Sequence, residues 1–152
     1  MTDGKFTPAT VALILDRDGG RCWWCRRHVL HGVRGFDWSI HHRCPRGMGG
    51  TTEAFVGAAS NGIILCGNGT QGCHGEFESD RGRAIDLGVL VPRIAAFRVE
   101  TNRPPHIPIH DRDGLAWLLT DDGAKVPAEP GPGKENAPCP SSVSTSWGRR
   151  PT

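Results

Sequence analysis

The chain has 152 residues, a net charge of +2 and 37% hydrophobic content, with 21 glycines and 12 prolines. That is room for one domain and a tail, around a core thin enough for a bound metal to matter. The apolar run Val11–Leu15 is too short for a membrane span or a secretory leader, so no membrane partner is expected. The expected compartment is a reducing cytoplasm, where paired cysteines bind metal more often than they form disulfides.

Thr7 as N-cap and Pro8 at the first helical position start a helix running through Ala9 to Arg17, which Gly19-Gly20 stops. Next comes Cys22-Trp23-Trp24-Cys25, a tight knuckle that can turn two sulfurs toward one ion. Phe36 to His42 alternates apolar and polar residues and predicts a short strand. Arg43 to Thr52, with Pro45 and three glycines, reads as a long irregular loop. Ile63-Ile64-Leu65 is a second strand, and Cys66 to Cys73 a glycine-rich loop. His74 to Leu87 reads as a helix ending at Gly88, and Val89-Leu90-Val91 as a strand. Ile107–His110 and Leu115–Leu119 flank the turn Asp111-Arg112-Asp113-Gly114, a hairpin signal. After Val126, prolines, serines and glycines without apolar periodicity predict a disordered tail.

Cys22, Cys25, Cys66 and Cys73 have the donor set of a closed, structural zinc site, although the Cys-x6-Cys spacing is longer than usual. The plain alternative is four free buried thiols. Cys44 and Cys139 are left over. Cys44, beside the histidines, could compete as a ligand, and Cys139 falls in the tail.

Zinc alone gives no reason for Ser39-Ile40-His41-His42-Arg43, Asn61 and His74 to be ordered around the same cysteines. Neighbouring strand residues point to opposite sides. The two imidazoles therefore diverge unless the strand ends there, and Pro45 with its glycines permits that. One histidine can then bind a metal while the other serves as a base, with His74 as a second ligand. Six arginines and a single acid lie between Arg21 and Gly47. They read either as a solvated face or as a phosphate-contacting surface.

Over roughly Arg17 to Asp86 the chain resembles the HNH endonucleases, the ββα-metal nucleases. The resemblance rests on Cys-Trp-Trp-Cys, Ser-Ile-His-His-Arg, Pro-Arg-Gly-Met-Gly-Gly, Asn-Gly-Ile-Ile-Leu-Cys, and Cys-His-Gly followed by Glu78. His-His-Arg with Pro-Arg-Gly and Gly-Gly is particularly similar to small phage nucleases encoded near packaging genes. Cys44 stands where the resemblance leads one to expect an arginine.

The resemblance implies an α+β fold: a small ββα-metal core braced by a four-cysteine zinc site, with a flanking helix and short C-terminal strands. With the hairpin and tail read from the residues, the chain divides into a nuclease domain over 1–90, an extension with a hairpin over 91–127, and a tail over 128–152. It makes His42 the general base and Asn61 the residue holding the base-bearing loop. His41 and His74, with Glu78, become ligands of one catalytic divalent ion: Mg2+, Mn2+, Ni2+ or Zn2+. Arg26, Arg27, Arg43 and Arg46 are the expected DNA contacts. The implied activity is phosphodiester hydrolysis to 5′-phosphate and 3′-hydroxyl ends, in a host-cell cytoplasm, with a phage terminase as a possible partner. A zinc-knuckle DNA-binding packaging accessory without cleavage is the alternative. A zinc deaminase needs His-x-Glu near Pro-Cys-x-x-Cys, and neither is present.

Overall fold

The structure, a computed structural model, describes residues 3–128. The expected tail, with Cys139, lies outside them from residue 129 onward. The fold is mixed α+β. Helices α1 (Pro8–Asp18), α2 (Gly72–Ser79), α3 (Arg81–Asp86) and α4 (Arg93–Arg98) surround two small sheets. One sheet pairs β1 (Trp38–His42) with β2 (Gly62–Cys66). The other is β3 (Ile109–His110), β4 (Ala116–Leu119) and β5 (Lys125–Pro127). Among the described residues no helix is long and apolar enough to cross a membrane.

α1 forms as its caps dictate. The Thr7 side chain accepts from Thr10 N, and Gly19 closes the helix at φ 62°, a left-handed position suited to glycine. Arg17 then ties the helix to the sheet. Its guanidinium donates to the carbonyls of Ala59 and Gly62 at 2.9 and 2.6 Å. The neighbouring Asp18 carboxylate neutralises it from 2.7 Å.

β2 is buried along its whole length. Ile63, Ile64 and Leu65 are fully enclosed, with Ile14 of α1, Phe77 of α2, Trp23, Val89, Ile109 and Leu119 in the same core. Each such side chain contributes about 1.5–3 kcal/mol by leaving water, and the fully buried β2 lies in the middle of the core. β1 runs antiparallel to it, with Ile40 opposite Ile64, His41 opposite Ile63 and His42 opposite Gly62. Gly62 is closely packed: a Cβ there would stand 2.4 Å from Ile14 Cδ1 and 2.9 Å from Phe6 Cζ, so those side chains would have to move.

Two expectations are corrected. The helix from His74 to Leu87 is two helices. It begins at Gly72 and breaks at Asp80, whose carboxylate caps α3 by accepting from Arg83 N. Val89-Leu90-Val91 is not a strand. Leu90 N turns back to Ala84 O, and Val91 N bonds Arg43 O, so no strand is left for the segment to pair with. Helix α4 and strand β5 were not anticipated. Residues 91–127, expected as an extension, share the central core through Ile109 and Leu119. Trp23 Nε1 donates to His110 O at 3.0 Å across the same contact.

Candidate functional site

Two groups of metal-ligating side chains stand out among the described residues. In the first, the sulfurs of Cys22, Cys25, Cys66 and Cys73 all lie within 4.8 Å of one another. Cys25 and Cys66 are 3.7 Å apart, too far for a disulfide. Four thiolates about 2.3 Å from one tetrahedral ion sit about 3.8 Å from each other, so the donor set and its spacing suit zinc. The knuckle is closed by Cys22 N to Arg27 O and Arg26 N to Cys22 O. The long Cys-x6-Cys spacing works because its loop doubles back at Gly67 and Gly72, both at positive φ. A Cβ on Gly67 would strike the Gln71 carbonyl at 2.0 Å. Burial raises the Cys22 thiol to about 11 and also raises Cys73, against which the neighbouring thiols add like charge. Without a cation the Cys22 and Cys73 thiols hold their protons, while at Cys25 burial is outweighed by hydrogen bonds from Arg27 and the neighbouring thiols, which lower it; an ion would displace the remaining protons.

Cys44 belongs to neither group. It is fully buried in a second, smaller core with Phe55, Val56, Val91 and Ala96. It is therefore not a competing ligand.

In the second group, His41 Nδ1, His74 Nε2 and Glu78 Oε1 converge. The nitrogens are 3.2 Å apart, and the carboxylate oxygen lies 4.0 and 3.8 Å from them. β1 supplies His41 and α2 supplies both others, Glu78 one turn beyond His74. His41 Nε2 faces only the Val89 carbonyl, at 3.2 Å, so it carries the proton and Nδ1 offers its lone pair. Burial, with the His74 imidazole adding to it, holds His41 down at about 3, and burial also lowers His74. Both rings are neutral at pH 7, as metal ligands must be. Glu78 Oε2 is held by Arg81 at 3.0 Å. The group opens into a cavity of about 280 Å³, which His42, Arg46 and Gly47 also line.

His42 ends β1 and lines the same cavity. Its ring stacks on Phe6, with centroids 4.0 Å apart and planes at 18°. Nε2 donates to the Gly4 carbonyl at 2.9 Å. Burial lowers its pKa to about 4, against the Gly4 carbonyl, which favours the charged form. The ring is therefore a neutral base with Nδ1 left to accept. Asn61 grips the chain just after it. Its Oδ1 accepts from Cys44 N at 2.6 Å, and its Nδ2 donates to the carbonyls of Cys44 and Val56.

The arginines separate into two kinds. Arg26 and Arg27 are exposed on the knuckle, and Arg46 is half-buried at the cavity. Arg43 corrects the expectation of a DNA contact. It is fully buried, donating to the carbonyls of Gly88, Ser60, Pro104 and Ile107. No part of that guanidinium is left for a phosphate.

Sequence reading assigned no role to Phe6, Gly4, the Val89 carbonyl or Ser39. Ser39 had a signal. Two residues before His41, it shares a strand face with it, and its Oγ lies 2.6 Å from His74 Nδ1. Arg93 was also missed: its guanidinium packs against Gly47, which lines the cavity, 3.2 Å from where a Cβ would stand. No family model, curated protein or solved structure matches the chain.

Proposed function

We propose that this protein is a metal-dependent DNA endonuclease of the HNH kind. The observation that carries the reading is the convergence of His41, His74 and Glu78 in a cavity that a neutral, oriented His42 also lines. β1, β2 and α2, in that order, then form the ββα unit, and the four cysteines brace it through a structural zinc.

His41, His74 and Glu78 would hold a divalent ion: Mg2+, Mn2+, Ni2+ or Zn2+. Such an ion, when bound, supplies Lewis-acid stabilisation of charge developing on a phosphodiester. His42 accepts the proton of the attacking water at Nδ1, while Gly4 and Phe6 hold its ring. Asn61 keeps the backbone after His42 in place. Arg46 at the cavity, with Arg26 and Arg27 on the knuckle, draws the DNA backbone. Water attack at phosphorus with loss of the 3′ oxygen leaves 5′-phosphate and 3′-hydroxyl ends. The sequence resemblance to phage nucleases suggests DNA packaging or processing as the setting, beside a terminase.

The test is nicking of supercoiled plasmid by zinc-loaded protein with added Mg2+, Mn2+ or Ni2+, compared with His42→Ala. The expected outcome is metal-dependent nicking that the variant loses while it still binds DNA. DNA binding with no cutting under any of these ions would return the protein to a zinc-knuckle binding role.

A further inference from the structure

Outside both groups, His28 and His31 stand together on the outer face of the cysteine knuckle. Their rings are nearly parallel, with planes at 15° and centroids 5.3 Å apart, and their Nδ1 atoms face each other at 3.4 Å. The local fold forces this approach. Val29 between them is buried, and its N–H bonds Gly20 O. Gly32 N then bonds Val29 O, a turn that brings His31 back over His28. Gly20, at φ 62°, leaves the room: a Cβ there would stand 2.6 Å from Leu30 Cδ1 and 3.4 Å from His28 Nε2. Both histidines line a cavity of about 340 Å³ with Arg27 and Asp37, and Cys66 of the four-cysteine group borders the same cavity.

We infer that His28 and His31 form a separate, solvent-accessible metal site that takes a borderline transition-metal ion, such as Ni2+, Cu2+ or Zn2+, through their facing Nδ1 atoms. An ion about 2.0–2.1 Å from each of two nitrogens 3.4 Å apart subtends an angle of about 110°, the tetrahedral angle of zinc, while nickel or copper, at about 90°, would draw the two exposed rings slightly closer. Two imidazoles suit nickel, copper and zinc, whereas hard Mg2+ and Ca2+ need oxygen-rich shells. The cavity has room for waters to fill the remaining positions. Asp37 lines it, with Oδ2 occupied by Val33 N at 2.7 Å, and contributes negative charge. Arg27 opposes a cation there. Affinity therefore comes from the two nitrogens and falls well below that of the four-cysteine site. The site does not depend on the nuclease reading, since it shares no residue with His41, His74 or Glu78.

Equilibrium dialysis of the zinc-loaded full chain against Ni2+, with bound nickel counted per chain, tests the inference. His28→Ala/His31→Ala should bind one equivalent less than wild type and retain its cysteine-bound zinc and circular dichroism. Each single variant should lose the same equivalent. Equal nickel binding by wild type and the double variant overturns the inference. In wild type, Ni2+ should also broaden the ring proton resonances of His28 and His31, a readout that needs no variant. Rings that stay sharp at saturating nickel overturn it equally.

Discussion

His41 Nδ1 and His74 Nε2 face each other at 3.2 Å, and each ring is held through its other nitrogen. The two grips differ. The Val89 carbonyl only accepts, so the His41 tautomer is fixed. Ser39 is two-handed: its hydroxyl lies 2.6 Å from His74 Nδ1 and 3.3 Å from the Gly67 carbonyl. With its proton toward His74, a chain of hydrogen bonds runs from Ser39 through both rings to Val89. With its proton toward Gly67, Ser39 accepts from His74 Nδ1, and both facing nitrogens present lone pairs. Only the second arrangement can take an ion.

Ser39→Ala should therefore weaken divalent-ion binding by about 10- to 100-fold, the usual effect of removing a group that orients a ligand histidine. His41→Ala and His74→Ala should weaken it more. Calorimetric titration with Mn2+ or Ni2+ measures the order. Because the His28/His31 pair also takes Ni2+, the comparison belongs in a His28→Ala/His31→Ala background. Unchanged affinity in Ser39→Ala would mean that the serine only fills space.

If the four cysteines hold the proposed structural zinc, removing it should unfold the protein. A four-cysteine site contributes about 10–16 kcal/mol at neutral pH, while a domain of this size has about 5–15 kcal/mol in total. Cys25→Ser, or a strong chelator, should abolish the cooperative thermal transition. Native mass spectrometry should show one tightly held zinc lost in parallel. A cooperative transition in zinc-free protein would make the four cysteines ordinary buried thiols.

Caps and spacing made α1, β1 and β2 legible, because each is specified by a few residues close in sequence; the cysteine group was legible through its chemistry, as two pairs far apart in sequence that share one donor type. Thr7, Pro8 and Gly19 fix α1 almost alone. Side-chain assignments that depend on distant backbone were not legible. Arg43 looks like its surface neighbours in sequence, yet two of its four carbonyl partners lie at residues 104 and 107. The Val89 segment is apolar enough for a strand but has no partner. The grip of Gly4 and Phe6 on His42 comes from a stretch whose sequence shows nothing beyond the approach to a helix.

Arg43 and Arg46 should separate cleanly. Arg43→Ala leaves several buried carbonyls without donors, each costing about 1–3 kcal/mol, so it should lower the thermal midpoint steeply. Arg43→Lys should not rescue it, since one ammonium cannot reproduce the fork. Arg46→Ala should leave stability within about 0.5 kcal/mol and reduce the salt dependence of DNA binding by about one phosphate. Thermal melts and binding at several salt concentrations decide. A stable Arg43→Ala that loses DNA would restore it as a contact.

Asp111 should make the C-terminal hairpin acid-sensitive. Burial raises its pKa, but hydrogen bonds from Trp117 Nε1, Leu115 N and Asp113 N outweigh this and leave the carboxyl below its usual range. A folded pKa below the unfolded one gives stability that is complete above about pH 4 and fades as pH falls through the folded value. Asp111→Asn should thus be destabilised at pH 7, and its gap from wild type should close on acidification. Denaturant melts at several pH values measure it. A gap that stays constant would assign the effect to shape rather than charge.

Asn61 joins the two ends of the chain between β1 and β2. Its backbone carbonyl accepts from Arg43 N at 2.8 Å, and its side chain holds both polar groups of Cys44 and the Val56 carbonyl. His42 is the residue just before this clamp. Asn61→Ala strands one amide and two carbonyls, which should lower stability by a few kcal/mol. It should also loosen the direction in which His42 leaves the strand. His41, His74 and Glu78 are held by other partners, so their ion affinity should change little. Nicking should then show a fall in kcat with KM and metal affinity near wild type, measured well below the variant's thermal midpoint. Asn61→Asp keeps the acceptor for Cys44 N but sets a carboxylate against two carbonyls, so it should not rescue the rate. If Asn61→Ala lowered the thermal midpoint and left kcat intact, Asn61 would be a stabilising residue only, and His42 would be positioned by Phe6 and Gly4 alone.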